Sequence, residues 1–329
     1  HVSAPAGDPI SLRTEIERTM LRYIDTAFWL RDDTLAAERR DLLSQPGRLL
    51  QDVYLEPVLP YPGTVPAVAH LERLGLTRAE SQRCIGALFG TAEPDSFLLR
   101  EHQAAALETS LSQSVEHNAV VTSGTGSGKT ESFLLPLLVR LIRESRTWAA
   151  NPVNSWWTTD RWSPLRRSGR PAAMRAIVLY PTNALVEDQI ARLRRTLRRL
   201  SAYGAADLWF GRYTSATLGG TRMPKNGRHE RLGEVRNEIE RLILEFDELS
   251  HLDEEILAQL VDPRRNEMVT RWDMIASPPD ILVTNFSMLN VMLMRAFEEP
   301  IFQQTREWLR SDPDAVFTVV VDELHLQRG

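Results

Sequence analysis

From Leu98 to Val321, short continuous apolar runs alternate with stretches of helical spacing. This alternation narrows the available folds more than any other feature. The runs are Ala119–Thr122, Ala176–Tyr180, Leu208–Tyr213, Ile281–Thr284 and Phe317–Val321, and helices fit Phe133–Ser145 and Ala184–Leu200. In the latter, Val186, Ile190, Leu193, Leu197 and Leu200 fall on one face. Strands that are apolar on both sides suit a parallel sheet covered by helices on both faces, built from βαβ units. The expected fold class is therefore α/β.

The preceding segment has a different texture. Leu12, Ile16, Met20, Ile24 and Phe28 recur at four-residue steps, which predicts an amphipathic helix with Ser11 as its N-cap. A Pro-rich break spans Glu56 to Gly63, and two short helices are expected around Val65–Leu74 and Arg78–Phe89. The expected division is a helical N-terminal accessory domain over 1–95 and an α/β domain over 96–329. Insertions at about 147–171 and 214–275 interrupt the second domain. The first insertion is rich in Trp, Arg, Pro and Ser. The second holds an acidic helical stretch with Leu232, Val235, Ile239, Leu242 and Phe246 at helical spacing.

Within this frame one segment carries chemistry. Val120-Val121-Thr122-Ser123-Gly124-Thr125-Gly126-Ser127-Gly128-Lys129-Thr130 reads as strand, glycine-rich loop and helix. Glycines let the backbone curl so that successive N–H groups point inward at phosphate oxygens, and the helix N-terminus adds partial positive charge. Lys129 would reach the β and γ phosphates and Thr130 would place its hydroxyl on Mg²⁺. The loop begins with Ser123, where Gly or Ala is usual. Composition sharpens the assignment: the 39 basic residues include only two lysines, Lys129 and Lys225. A chain that uses arginine almost everywhere kept the slim ammonium at the position where a planar guanidinium would not fit inside a closed loop.

At the other end, Val319-Val320-Val321 runs into Asp322-Glu323-Leu324-His325. Ligands gather at the carboxyl ends of parallel strands. Asp322 suits Mg²⁺ held partly through water, and Glu323 suits orientation of an attacking water.

Together these segments resemble motifs I and II of superfamily 2 helicases of the DEAD/DEAH-box kind, with Leu324 where Ala is usual. Phe97-Leu98-Leu99-Arg100-Glu101-His102-Gln103 is similar to the adenine-reading segment ahead of motif I. Tyr180-Pro181-Thr182-Asn183-Ala184-Leu185 resembles motif Ia, and Ile281 to Leu289 resembles the next strand-contacting motif. The Thr-Asn-x-x-Met-Leu form and the His-Leu-x-Arg-Gly tail resemble the large bacterial helicases similar to YprA and Lhr. Several of these act in anti-phage systems, as in Druantia, DISARM and the DpdJ type; the opening Tyr23 to Arg31 resembles Druantia-like helicases most. The resemblance implies a RecA-like domain, ATP and Mg²⁺ as cofactors, and nucleic acid as partner, with DNA preferred to RNA. It implies catalytic roles for Lys129, Asp322, Glu323 and His325. Nucleotide contacts would come from Arg100, Gln103, Gly124, Thr125, Gly126, Ser127, Gly128, Lys129 and Thr130. Mg²⁺ would lie at Thr130 and Asp322, and nucleic-acid contacts at Pro181, Thr182, Asn183, Thr284 and Asn285. A partner subunit in a defence complex is expected, and no membrane.

Charge supports a nucleic-acid role locally. Residues 140–231 hold 18 basic and 6 acidic residues in a chain of net charge −5. Such a zone is a candidate phosphate track. Arg192, Arg195 and Arg199 face away from the apolar stripe of their helix, and Trp148, Trp156, Trp157 and Trp162 interleave with arginines. Thr214-Ser215-Ala216-Thr217 contains Ser-Ala-Thr, but ahead of the acidic motif and so out of order for motif III; it reads as a loop. The single cysteine, Cys84, excludes an internal disulfide and a Cys-based zinc site, and fits a reducing, cytoplasmic setting. No run approaches the ~20 apolar residues of a membrane helix. The later helicase motifs do not occur before Gly329, so a longer polypeptide is expected. The stretch alone should hydrolyse ATP poorly, because an arginine finger contributes ~10³–10⁵ in rate. The alternatives are an ATP-gated nucleic-acid clamp without unwinding, and a P-loop NTPase with no nucleic-acid role.

Overall fold

The computed structural model describes residues 9–51, 53–54, 61–112, 118–124, 126–148, 170–202, 208–220, 222–224 and 230–326. The chain forms two compact units, His1–Pro60 and Tyr61–Gly329.

The first unit contains α1 (Pro9–Ala27) and α2 (Asp33–Leu43). Helix α1 begins at Pro9, whose missing N–H costs nothing at the first helical position. Ser11 therefore lies inside the helix and does not cap it. Asp32 does cap α2, accepting from the Thr34 and Leu35 N–H groups. The two helices are joined through Asp25, which accepts from Arg39 Nη2 at 2.9 Å and Arg40 Nε at 2.7 Å. The α1 side chains Leu12, Ile16 and Met20 are exposed.

In the second unit, β1 (Val65–Pro66) pairs antiparallel with β2 (Leu98–Leu99). Between them lie α3 (Ala67–Arg73) and α4 (Arg78–Phe89), followed by α5 (Glu101–Leu111). Helix α4 has a Thr77/Glu80 capping box and ends at Gly90 in the left-handed conformation. Sequence grouped α3 and α4 with the N-terminal segment. In the structure they pack inside the second unit, where α4 lies against both α6 (Lys129–Ser145) and α7 (Asn183–Ala202).

A five-stranded parallel sheet organises the remainder, built from β3 (Ala176–Tyr180), β4 (Phe210–Tyr213), β5 (Glu267–Met268), β6 (Ile281–Asn285) and β7 (Thr318–Val321) in the order β5-β4-β6-β3-β7. Helices α8 (Glu230–Glu248), α9 (Glu254–Leu257), α10 (Arg271–Ala276), α11 (Phe286–Met294) and α12 (Glu299–Ser311) complete it. Alternate strand residues enter two separate cores. Ala176, Val178, Tyr180, Ile281 and Val283 join Leu135, Leu138, Ile190 and Leu197 of α6 and α7 on one face. Ile177, Leu179 and Leu282 join Leu232, Ile239, Trp272, Met292 and Ile301 on the other. Helices thus cover both faces, as the apolar strands require. The acidic stretch expected to be helical is α8, and Leu232, Val235 and Ile239 are its buried positions.

One expected strand is not formed. Residues 118–124 make no ladder, and Val120 is 83% exposed. A strand exists only where a neighbour supplies the opposing N–H and C=O groups. Strand β7 pairs with β3 on one side and has no ladder partner on the other among the described residues.

Candidate functional site

The phosphate-loop sequence ends at the first residue of α6. Gly128 precedes the helix with φ of +80°, and Gly126 has φ of +74°, both in the left-handed region open to glycine. No side chain caps α6, so its first N–H groups stay available to an anion. Ser123, the departure from the usual pattern, has its hydroxyl 2.6 Å from that of Ser127, closing the loop on itself. Gly126, Ser127, Gly128, Lys129 and Thr130 line one end of a cavity of about 540 Å³; Tyr61, Phe89, Phe97 and Leu98 line its apolar part. Thr125 lies outside the described residues.

Arg100 and Gln103 sit in the same wall, and they grip the loop itself. Arg100 Nη1 donates to the Gly126 carbonyl at 3.0 Å, and Gln103 Nε2 donates to the Gly128 carbonyl at 3.2 Å. Gln103 Oε1 accepts the Arg100 N–H at 3.1 Å, so both ends of this amide, 3% exposed, engage backbone. Reading a base with Gln103 would require exchange of one of these bonds.

The acidic motif follows β7. The Asp322 N–H donates to Leu179 O at 3.0 Å, prolonging the β3 ladder by one position. Glu323 has φ of +48°, a strained backbone for a non-glycine residue and of the kind that collects at functional sites. Its N–H donates to Asp322 Oδ1 at 2.9 Å, and its Oε2 lies 3.3 Å from His325 Nδ1. Burial raises the Asp322 carboxyl above its ordinary range, and the neighbouring Glu323 charge adds to this. The Glu323 N–H and the cations of Lys129 and Arg192 act in the opposite sense. Among the described residues no group of three or more His, Cys, Asp or Glu side chains could hold a metal alone. The oxygens of Thr130 and Asp322 suit Mg²⁺ that arrives with phosphate ligands.

At the carboxyl ends of β3 and β6 two helix N-termini lie side by side. Pro181 is half-buried, whereas Thr182 and Asn183 are exposed at the start of α7. Asn285 caps α11 through the Met288 N–H at 2.7 Å and donates Nδ2 to Asn183 Oδ1 at 2.6 Å. Thr284 departs from the expectation: it is fully buried and donates its hydroxyl to Tyr213 O at 2.6 Å, so it presents no side chain to a ligand.

The arginines of α7 do not form a free track. Arg194 makes a buried bidentate pair with Glu267 at 2.6 and 2.7 Å. Arg198 donates to Leu257 O and Leu260 O, Arg195 pairs with Glu255, and Arg199 pairs with Glu254. Acids of residues 254–267 thus meet three of the five arginines of the helix. Arg192 is the exception, reaching instead to Glu131 at 2.7 Å in the cavity wall. Sequence placed it on the polar face of α7 but gave no sign of this destination. Trp148 packs beneath the Arg170 guanidinium, 3.6 Å from the ring centroid. Trp156, Trp157 and Trp162 lie outside the described residues. The Ser-Ala-Thr stretch is a turn, in which the Thr217 hydroxyl accepts the Thr214 N–H at 2.8 Å and donates to Arg212 O at 2.7 Å.

Residues 100–226 match the DEAD/DEAH box helicase family. The chain is 31% identical over 367 aligned positions to the Druantia protein DruE of Escherichia coli (strain UMEA 4076-1). That alignment covers 95% of this chain and 18% of the relative's length. No solved structure matches. No described helix is long and apolar enough to cross a membrane.

Proposed function

We propose that this chain, whose residues 100–226 match the DEAD/DEAH box helicase family, is the ATP-binding lobe of a DNA helicase or translocase acting in anti-phage defence. The observation that carries the reading is the glycine-rich turn at the head of α6, where Gly126 and Gly128 hold positive φ, no side chain caps the helix, and Lys129 and Thr130 line the cavity. The loop geometry fits a polyphosphate. Its glycines adopt conformations other residues resist, and a Cβ on Gly128 would lie 2.5 Å from Gln103 Nε2. Mg-ATP would supply the transferable phosphoryl group and neutralise its charge.

The chain's own residues have distinct tasks. The loop N–H groups and Lys129 bind the phosphates. Thr130 and Asp322 hold the cation, Asp322 in part through water. Glu323 orients water at a backbone already bent to present it, and His325 steadies Glu323. Arg100 and Gln103 fix the loop and border the base. Thr182, Asn183 and Asn285, at two adjacent helix starts, position a nucleic-acid backbone without reading its sequence. The defence role rests on the likeness to DruE.

Nucleic-acid-stimulated ATP turnover by the full-length protein tests this reading. Lys129→Ala and Glu323→Gln should each reduce turnover by on the order of 10²-fold or more while nucleic-acid binding persists. Full turnover by Glu323→Gln would remove Glu323 from its assigned role.

A further inference from the structure

Arg192 differs from the other arginines of α7 in what it meets. Its four helix-mates are tied to the acidic insertion or to backbone carbonyls at its edge. Arg192 alone among them enters the cavity wall, beside Lys129 and Thr130. Its partner Glu131 is also in that wall, immediately after Thr130, so a carboxylate faces the place where the phosphates would lie. The contact between Arg192 and Glu131 is a single hydrogen bond of 2.7 Å. It uses one guanidinium nitrogen, and the Arg192 side chain is 35% exposed and that of Glu131 17%. The Arg194–Glu267 pair on the same helix is bidentate and buried. A monodentate, partly exposed ion pair gives way more readily to an anion of higher charge than a buried bidentate one.

We infer that Arg192 is a phosphate-sensing cation, held by Glu131 until a nucleoside triphosphate offers its terminal phosphate. Resting on the nucleotide reading above, this adds a residue that distinguishes triphosphate from diphosphate. A guanidinium suits the task, since its planar donors match phosphate oxygens. Arg192 also acts on the Asp322 carboxyl, so the same side chain reaches electrostatically to both halves of the site.

The test measures binding to the full chain, with Mg²⁺, of a fluorescent ADP and of the non-hydrolysable triphosphate AMP-PNP by displacement. Arg192→Ala should weaken AMP-PNP by about tenfold and ADP by less than about twofold. Glu131→Gln, which frees Arg192, should tighten AMP-PNP several-fold and leave ADP unchanged. Equal changes for both nucleotides, or none, would show Arg192 to be a structural salt-bridge residue and overturn the inference. Should Arg192→Ala fail to fold by circular dichroism, Glu131→Gln decides alone, and an unchanged ratio of the two affinities rejects the proposal. Lys129→Ala separates the levels. If it binds both nucleotides as well as the parent, the nucleotide reading fails and takes the Arg192 inference with it. If it weakens both while Arg192→Ala leaves the ratio intact, only the Arg192 inference fails.

Discussion

Gly128 joins conformation to chemistry within a single residue. Its φ of +80° starts α6, and the space a side chain would need is filled by Gln103 at 2.5 Å and Arg100 at 3.0 Å. Gly128→Ala should therefore lower stability by about 1–3 kcal/mol and abolish nucleotide binding. Chemical denaturation and fluorescent-nucleotide titration would check the two effects. Wild-type stability in the variant would mean that the loop relaxes at no cost. Residues of this kind are legible in sequence because phosphate chemistry dictates their spacing. Lys129, Asp322 and Glu323 could be named for the same reason. Residues whose role depends on a distant partner could not: Arg192 and Glu131 stand 61 positions apart, and nothing local marks them as a pair. The engagement of Thr284 was equally hidden, since its hydroxyl bonds to Tyr213 O on a neighbouring strand, 71 positions away.

At the scale of elements, the strands were read well and their neighbours poorly. Ala176–Tyr180 and Ile281–Thr284 announce themselves by continuous apolarity. The run Ala119–Thr122 has the same apolarity but no ladder, because composition says nothing about which backbone lies alongside. The α7 arginines looked like a phosphate track because the acids that meet them come from residues 254–267, beyond two intervening segments. A different pair fastens the phosphate-loop helix at its far end. Arg146, just past α6, donates to both carboxylate oxygens of Glu80 at 2.9 and 2.6 Å, linking it to the capping box of α4. The Arg146 guanidinium, with help from the Thr77 N–H and hydroxyl and against the effect of burial, holds the Glu80 carboxyl at about 2, below its ordinary 4.5. A depressed carboxylate contributes stability above its unfolded pKa and loses it as the pH falls through the folded one. Glu80→Gln should thus cost about 1 kcal/mol at neutral pH, discounted because Arg146 is largely solvated. The deficit should shrink below pH 4.5 and vanish near pH 2. Urea melts across that window would show it, and a deficit independent of pH would assign the effect to the cap alone.

For the whole molecule, the net charge of −5 conceals an internal division of labour. Three arginines of α7 pair with acids of residues 254–267, while Lys129, Arg100 and Arg192 are cations that border the cavity. The open side of β7 has a consequence of another kind. Along Thr318 to Val321 no ladder partner lies on this side among the described residues, and Val319 and Val316 are about half exposed. A strand edge of this kind is a template for any extended backbone, including that of a second molecule. Handled alone in concentrated solution, the 329-residue chain should self-associate through this margin. Val319→Lys, a charge at the rim, should raise the monomer fraction by on the order of severalfold in light scattering. Unchanged association would place the adhesive surface elsewhere. The same strand that delivers Asp322 and Glu323 to the site would then be the part of the molecule most in need of company.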